Sequence, residues 1–193
     1  MPNYKPLFKK NLLMMIILVF FILVVILFIN FLYDKKSPSV SLGGSFILTD
    51  QNGEIFNSSK VNLKKLIYFG YTYCPDICPF DLLKISKIFE NNPNLKSEIK
   101  PVFITVDPER DTIKNLKIFM ENFDQSFVAL TGTNEEIKKV LKKFRIYVKL
   151  NKSNLADKDY LIDHSSLIFL LDKNDNYIKF FRPNELKENI VLN

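Results

Sequence analysis

At 193 residues the chain has room for one domain of moderate size plus an appendage. Its two cysteines are too few for a disulfide scaffold. The formal charge of +6 is unevenly placed: residues 1–45 carry five lysines against one aspartate, while the other 148 residues carry 22 basic and 20 acidic side chains, so the basicity flanks an apolar run and excludes a nucleic-acid-binding face.

That run, residues 12–29, is 18 consecutive apolar residues. As a helix it spans about 27 Å, close to a bilayer core of roughly 30 Å, and Phe31, Leu32 and Tyr33 extend it past Asn30. A buried soluble helix of this length would show a polar face, and none is present. A cleaved signal peptide needs a shorter apolar region and a small-x-small site, which FLYDKKSPSV lacks. The expectation is an uncleaved transmembrane anchor over 12–33, behind a short cytoplasmic tail (1–11) and ahead of a linker (34–45). Three lysines and the terminal amine precede the span, against two lysines offset by an aspartate after it. The positive-inside rule therefore puts the N-terminus in the cytoplasm. No arginine or serine precedes the span, unlike a transit peptide. The expected location is a bacterial inner membrane, with the domain over 46–193 in the periplasm.

Within that domain, Phe46–Thr49 and Glu54–Phe56 flank Asp50-Gln51-Asn52-Gly53, a hairpin signal. Leu66–Gly70 reads as a buried strand and Pro79–Phe89 as an amphipathic helix. Pro101–Val106 is a second buried strand, followed by the polar loop Asp107–Asp111 and a helix over Thr112–Phe123. Phe127–Leu130 is a short strand. Thr133-Asn134-Glu135-Glu136 is a capping box, opening a helix that buries Ile137, Val140, Leu141 and Phe144. Tyr147–Leu150 reads as a strand and Asn151–Asp159 as irregular. Ser166–Leu171 and Tyr177–Phe181, joined by a short turn, form an antiparallel pair, and Pro183–Ile190 reads as a terminal helix. Buried strands alternating with amphipathic helices predict an α/β domain, a central sheet flanked by helices.

Both cysteines lie in Phe69-Gly70-Tyr71-Thr72-Tyr73-Cys74-Pro75-Asp76-Ile77-Cys78-Pro79, between the first buried strand and its helix. With Pro79 as first helical residue, Cys78 is the expected N-cap, its sulfur at the positive end of the helix dipole, which favours the thiolate. A structural disulfide here would close a loop of five residues and contribute about 2 kcal/mol. Redox or metal chemistry is the stronger use of two such thiols. His164, the sole histidine, follows Asp163 just before a buried strand, and a carboxylate beside an imidazole is the group that orients a metal-bound ring. Two thiolates and an imidazole form a small, soft donor set that fits copper best. Zinc takes a fourth ligand, and iron–sulfur clusters need more cysteines. The Asp107–Asp111 loop reads as an internal ion-pair network around Arg110 rather than an acid/base pair.

FGYTYCPDICP, VFITVDPERDT (102–112), LTGT (130–133) and YLIDHS (160–165) resemble the signature blocks of the Sco/SenC family, in that family's order and spacing behind an N-terminal anchor. The resemblance covers Gly43 to Phe181. It implies a thioredoxin-like fold and a copper site with Cys74, Cys78 and His164 as ligands and Asp163 as a supporting group. It also implies a metallochaperone role in maturing the dinuclear copper centre of cytochrome c oxidase subunit II. The alternative is an enzyme, a thiol–disulfide oxidoreductase using Cys74 and Cys78 to keep the partner's copper-site cysteines reduced. Either role implies a further partner, a copper donor or a thiol reductase. The C-x-x-x-C spacing, unlike the C-x-x-C of common oxidoreductases, favours metal.

Overall fold

A computed structural model describes residues 5–34, 42–151 and 160–187. The chain divides into two units, Met1–Val40 and Ser41–Asn193. In the first, α1 runs Lys5–Asp34 and contains the apolar stretch Leu12–Asn30, whose mean hydropathy is 3.7 and which is nowhere buried by protein. The helix is long and apolar enough to cross a membrane.

The second unit is built on a seven-stranded sheet. Its strands are β1 (Ile47–Asp50), β2 (Ile55–Asn57), β3 (Lys64–Gly70), β4 (Ile99–Thr105), β5 (Val128–Thr131), β8 (Ile168–Leu171) and β9 (Tyr177–Phe181). They stand in the order β2-β1-β5-β4-β3-β8-β9. The β3–β4 and β4–β5 pairs are parallel and the rest antiparallel, including the expected β8–β9 hairpin. Parallel neighbours need crossovers, which α2 (Ile77–Asn91) and α3 (Ile113–Met120) supply; α4 (Asn134–Phe144) follows β5. β8 is fully buried, and β3 and β4 are buried except at Lys64 and Lys100 near their starts, as a sheet covered by helices requires. Phe144 at the end of α4 packs on Phe46, Phe69 and Phe169 at centroid separations of 6.3, 5.2 and 5.3 Å, joining helix, hairpin and sheet in one core.

Short-range chemistry explains the helix ends. Thr112 Oγ1 accepts from Asn115 N to start α3. Thr133 and Glu136 close the expected capping box of α4, whose Ile137, Val140 and Phe144 are buried while Leu141 is partly so.

The structure departs from the sequence reading at four places. Residues Leu161–His164 form a strand, β7, that pairs antiparallel with β6 (Val148–Asn151) in a separate two-stranded ribbon. His164 therefore ends a strand. α2 begins at Ile77, two residues before Pro79. Single 3-10 turns occur at Ser58–Lys60 and Pro93–Ser97. After β9, Arg182 to Glu185 make a turn closed by Glu185 N donating to Arg182 O (2.9 Å). No helix forms through residue 187; the rest of the expected terminal helix, like the irregular segment at 152–159, lies outside the described residues.

Candidate metal centre

β3 delivers the cysteine loop to the end of the sheet. Its last residue, Gly70, leaves little room for a side chain: a Cβ there would stand 3.0 Å from Cys78 Sγ and 3.0 Å from the Phe103 ring. Cys78 is thus packed against the sheet and fully buried. Cys74 is partly exposed, and both thiols are free.

Because α2 starts at Ile77, Asp76 is the N-cap, and its side chain makes no capping hydrogen bond. Cys74 takes that place. Cys78 N donates to Cys74 Sγ at 3.5 Å, and the amides of Asp76 and Ile77 favour the same sulfur. The Cys78 side chain, the largest influence, hydrogen-bonds to Cys74, whose thiol is pushed down to about 5 despite partial burial. Its partner goes the other way: the neighbouring Cys74 sulfur and burial raise Cys78 strongly. The expectation that Cys78 is the N-cap thiolate is therefore corrected. Cys74 is the thiolate over the helix N-terminus, and Cys78 is the protonated thiol behind it.

His164 arrives from β7. Its Nε2 lies 3.3 Å from Cys78 Sγ. An Nδ1–H donated to Ser165 O (3.2 Å) leaves the Nε2 lone pair facing the sulfur, the tautomer a metal ligand needs. Burial lowers the pKa of the imidazole and keeps it neutral. Asp163 stands on the exposed side of β7, because successive strand residues face opposite ways. The ring contact expected of Asp163 is made by the Ser165 carbonyl.

Buried polar groups surround the sulfurs. Tyr68, below Cys78, donates its hydroxyl to Asp81 Oδ2 at 3.1 Å, and burial raises the Asp81 carboxyl. Tyr71 accepts Ile162 N on its hydroxyl at 3.2 Å and meets the His164 ring edge-to-face at 6.0 Å. The 107–111 loop is the ion-pair network expected of it, with a wider reach. Arg110 Nε lies 2.5 Å from Asp107 Oδ2, and Asp111 accepts Thr72 N, Thr72 Oγ1 and Thr105 Oγ1 at 3.0, 2.6 and 2.6 Å. Arg110 also covers the rings of Tyr160, Tyr73 and Tyr71 at 3.5, 4.8 and 5.7 Å. Sequence reasoning missed Tyr68, Asp81 and the tyrosines around Arg110. The Asp107–Arg110 spacing was visible, but nothing local ties either residue to Tyr160.

A cleft of about 270 Å³ opens over Cys74, lined among others by Tyr71, Ile77, Ile162 and His164. Among the described residues no three His, Cys, Asp or Glu side chains form a closed cage; Cys74, Cys78 and His164 meet as contacting pairs. The 3.3 Å between Cys78 Sγ and His164 Nε2 is close to the roughly 3.5 Å kept by a sulfur and a nitrogen around one tetrahedral ion with bonds of about 2.3 and 2.0 Å. A thiolate, a thiol that can lose its proton and a neutral imidazole fit a soft, borderline metal.

The chain as a whole is similar to known proteins. A SCO2-like protein of Rickettsia prowazekii is 50% identical over 152 residues, covering 78% of this chain and 72% of its own. The structure of Bradyrhizobium japonicum ScoI with copper bound superimposes with a TM-score of 0.71 at 36% identity, covering 79% of this chain and 96% of that one. Arabidopsis thaliana ScoI with copper bound gives 0.68 at 35% identity, with 79% and 97% covered. These solved relatives carry the expected thioredoxin-like fold. The SCO1/SenC sequence profile matches residues 34–193, and on that match and these identities the chain belongs to the SCO1/SenC family.

Proposed function

We propose that this chain is a membrane-anchored copper metallochaperone that takes up one copper ion on Cys74, Cys78 and His164. It delivers the ion to the dinuclear copper centre of cytochrome c oxidase subunit II. The observation that carries the reading is the approach of His164 Nε2 to Cys78 Sγ at 3.3 Å beside the Cys74 thiolate. These donors come from segments 86 residues apart. Relatives of the same fold hold copper, and the Sco family is one of cytochrome c oxidase assembly proteins.

The donors act in a definite order. Cys74, already a thiolate and partly exposed, meets the incoming ion. Cys78 must lose its proton to join, so loading releases a proton. The neutral imidazole adds a nitrogen without a proton to shed. Copper is the cargo, and exposed Tyr73, Ile77 and Phe80 beside Cys74 give a partner protein an apolar surface to dock on. α1 would hold the domain at a bacterial inner membrane, N-terminus cytoplasmic and domain periplasmic.

One observation favours a second reading. A low-pKa, accessible Cys74 with a buried thiol behind it is the nucleophile and resolving pair of a thiol–disulfide oxidoreductase. Cytochrome oxidase activity in cells carrying Cys74→Ser, Cys78→Ser or His164→Ala, at limiting and excess copper, separates the two. A chaperone needs all three residues at limiting copper. Near-normal activity of His164→Ala under that condition overturns the chaperone reading in favour of the reductase.

A further inference from the structure

We propose that Arg110 is the positioning residue that holds His164 against the two cysteines. This inference deepens the copper-site reading and rests on it. β7, which carries His164, belongs to the two-stranded β6–β7 ribbon, whereas the cysteine loop hangs from β3 in the main sheet. Among the described residues no backbone ladder joins the two; residues 165–167 tie His164 to β8, which pairs with β3, and side chains set how closely β7 approaches the cysteine loop.

Arg110 stands between them. Its guanidinium carbon lies over Tyr160, 3.5 Å from the ring centroid, and Nη1 donates to Tyr160 O at 2.9 Å. Tyr160 is the residue that leads into β7. The guanidinium also covers Tyr73, next to Cys74, and Tyr71, whose ring and hydroxyl touch His164 and Ile162. Asp107 locks the assembly by taking Arg110 Nε on one carboxylate oxygen and the Tyr160 hydroxyl (2.8 Å) on the other. Asp111, at the far end of the same loop, holds Thr72 at the head of the cysteine loop. One five-residue loop thus grips both segments, and the gripping group is a planar cation buried among aromatic rings. Its plane and its fork of N–H donors both matter. Lysine keeps the charge and loses both, so Arg110→Lys is not conservative here.

His164 adds most to copper(II), which prefers nitrogen donors, while two thiolates suffice for copper(I). A residue that places His164 should follow the same split. In detergent-solubilised full-length protein, Arg110→Lys and Tyr73→Leu are expected to lower copper(II) affinity about 10- to 100-fold, the usual cost of disturbing a ligand's support. Copper(I) affinity should stay within about threefold, as for His164→Ala. A metal-free readout runs beside this: hydrogen exchange of the Ile162 amide, which donates to Tyr71, should quicken in Arg110→Lys while the β3 amides keep their protection. Wild-type exchange at Ile162 with unchanged copper(II) affinity overturns the proposal. So does equal loss for both copper ions together with faster exchange throughout β3, which marks a merely structural role. If wild-type protein shows no His164-dependent copper binding, the copper-site reading fails, and the metal-free exchange still decides whether Arg110 holds β7 in place.

Discussion

At the residue scale, the division of labour between the cysteines comes from their burial and their neighbours, Cys74 being partly exposed and Cys78 buried. Cys74 sits over three backbone amides and beside the Cys78 side chain; Cys78 sits against Gly70, Phe103 and Tyr68. An unfolded thiol titrates near 8.5, and Cys74 titrates at about 5, so its folded pKa is depressed. The thiolate's contribution to stability is therefore complete above about 8.5 and declines as pH falls, vanishing below about 5. Alkylation with iodoacetamide between pH 4 and 9, followed by peptide mass, should label Cys74 with a midpoint near pH 5 and leave Cys78 slow. Since the Cys78 side chain is the largest cause of the shift, Cys78→Ala should move that midpoint upward. A midpoint that stays near 5 in the variant would show that the amides alone hold the thiolate. Gly70→Ala tests the packing behind the pair. Its methyl would stand 3.0 Å from Cys78 Sγ, tighter than most real contacts, so the sulfur or its neighbours must give by a few tenths of an ångström. Copper affinity in a chelator competition should fall by about tenfold or more, on the scale of other disturbed ligand supports.

At the scale of elements, each helix has a job that its ends make specific. α2 presents its N-terminus to Cys74, and the missing side-chain cap at Asp76 leaves its amides for the sulfur. α4 has no such task and is closed conventionally, with Thr133 Oγ1 accepting Glu136 N and Glu136 Oε2 accepting Thr133 N. Thr133→Ala should cost about 1 kcal/mol, which for a domain of this size lowers Tm by roughly 2–4 °C. Thermal unfolding followed by circular dichroism measures it, and copper binding should be untouched. A full loss of copper binding would mean that α4 supports the site directly. The capping box was legible because it is a four-residue pattern. β7 was not: Leu161-Ile162-Asp163-His164 has no long apolar run, and it becomes a strand only because Val148–Asn151 pairs with it.

At the scale of the whole molecule, the chain combines a 30-residue helix, whose apolar stretch Leu12–Asn30 is exposed, with a covered α/β sheet. The anchor reading predicts an intact N-terminus in membrane-extracted protein, with the domain digested by protease added from the periplasmic side. Intact-mass measurement checks the first point, and a mature N-terminus beyond residue 33 would identify the apolar segment as a cleaved signal. A second whole-molecule feature went unread: Lys65 and Asp175 form a buried ion pair at 2.8 Å, with Ser58 Oγ donating to the same carboxylate at 2.7 Å. It ties β3, the 3-10 turn at Ser58 and the β8–β9 turn together. A lysine at a strand start carries no mark of its burial, so only the folded sheet reveals it.

The sequence by itself determined what depends on neighbours along the chain. The apolar run, the buried strands with their amphipathic helices, the α4 cap, and the two thiols in one turn before a helix are all written in periodicity and spacing. The tertiary structure decided what depends on residues far apart. It set Cys74, and not Cys78, as the thiolate, because the start of α2 and the depth of each sulfur depend on packing against β3. It placed Ser165, and not Asp163, on the imidazole, because pairing with β6 turns Asp163 outward. It also brought Arg110 among tyrosines from two other segments, Tyr160 lying 50 residues from it along the chain. Local pattern encodes elements because hydrogen bonds and side-chain period act within a few residues; burial, charge and ligand geometry are sums over the whole fold.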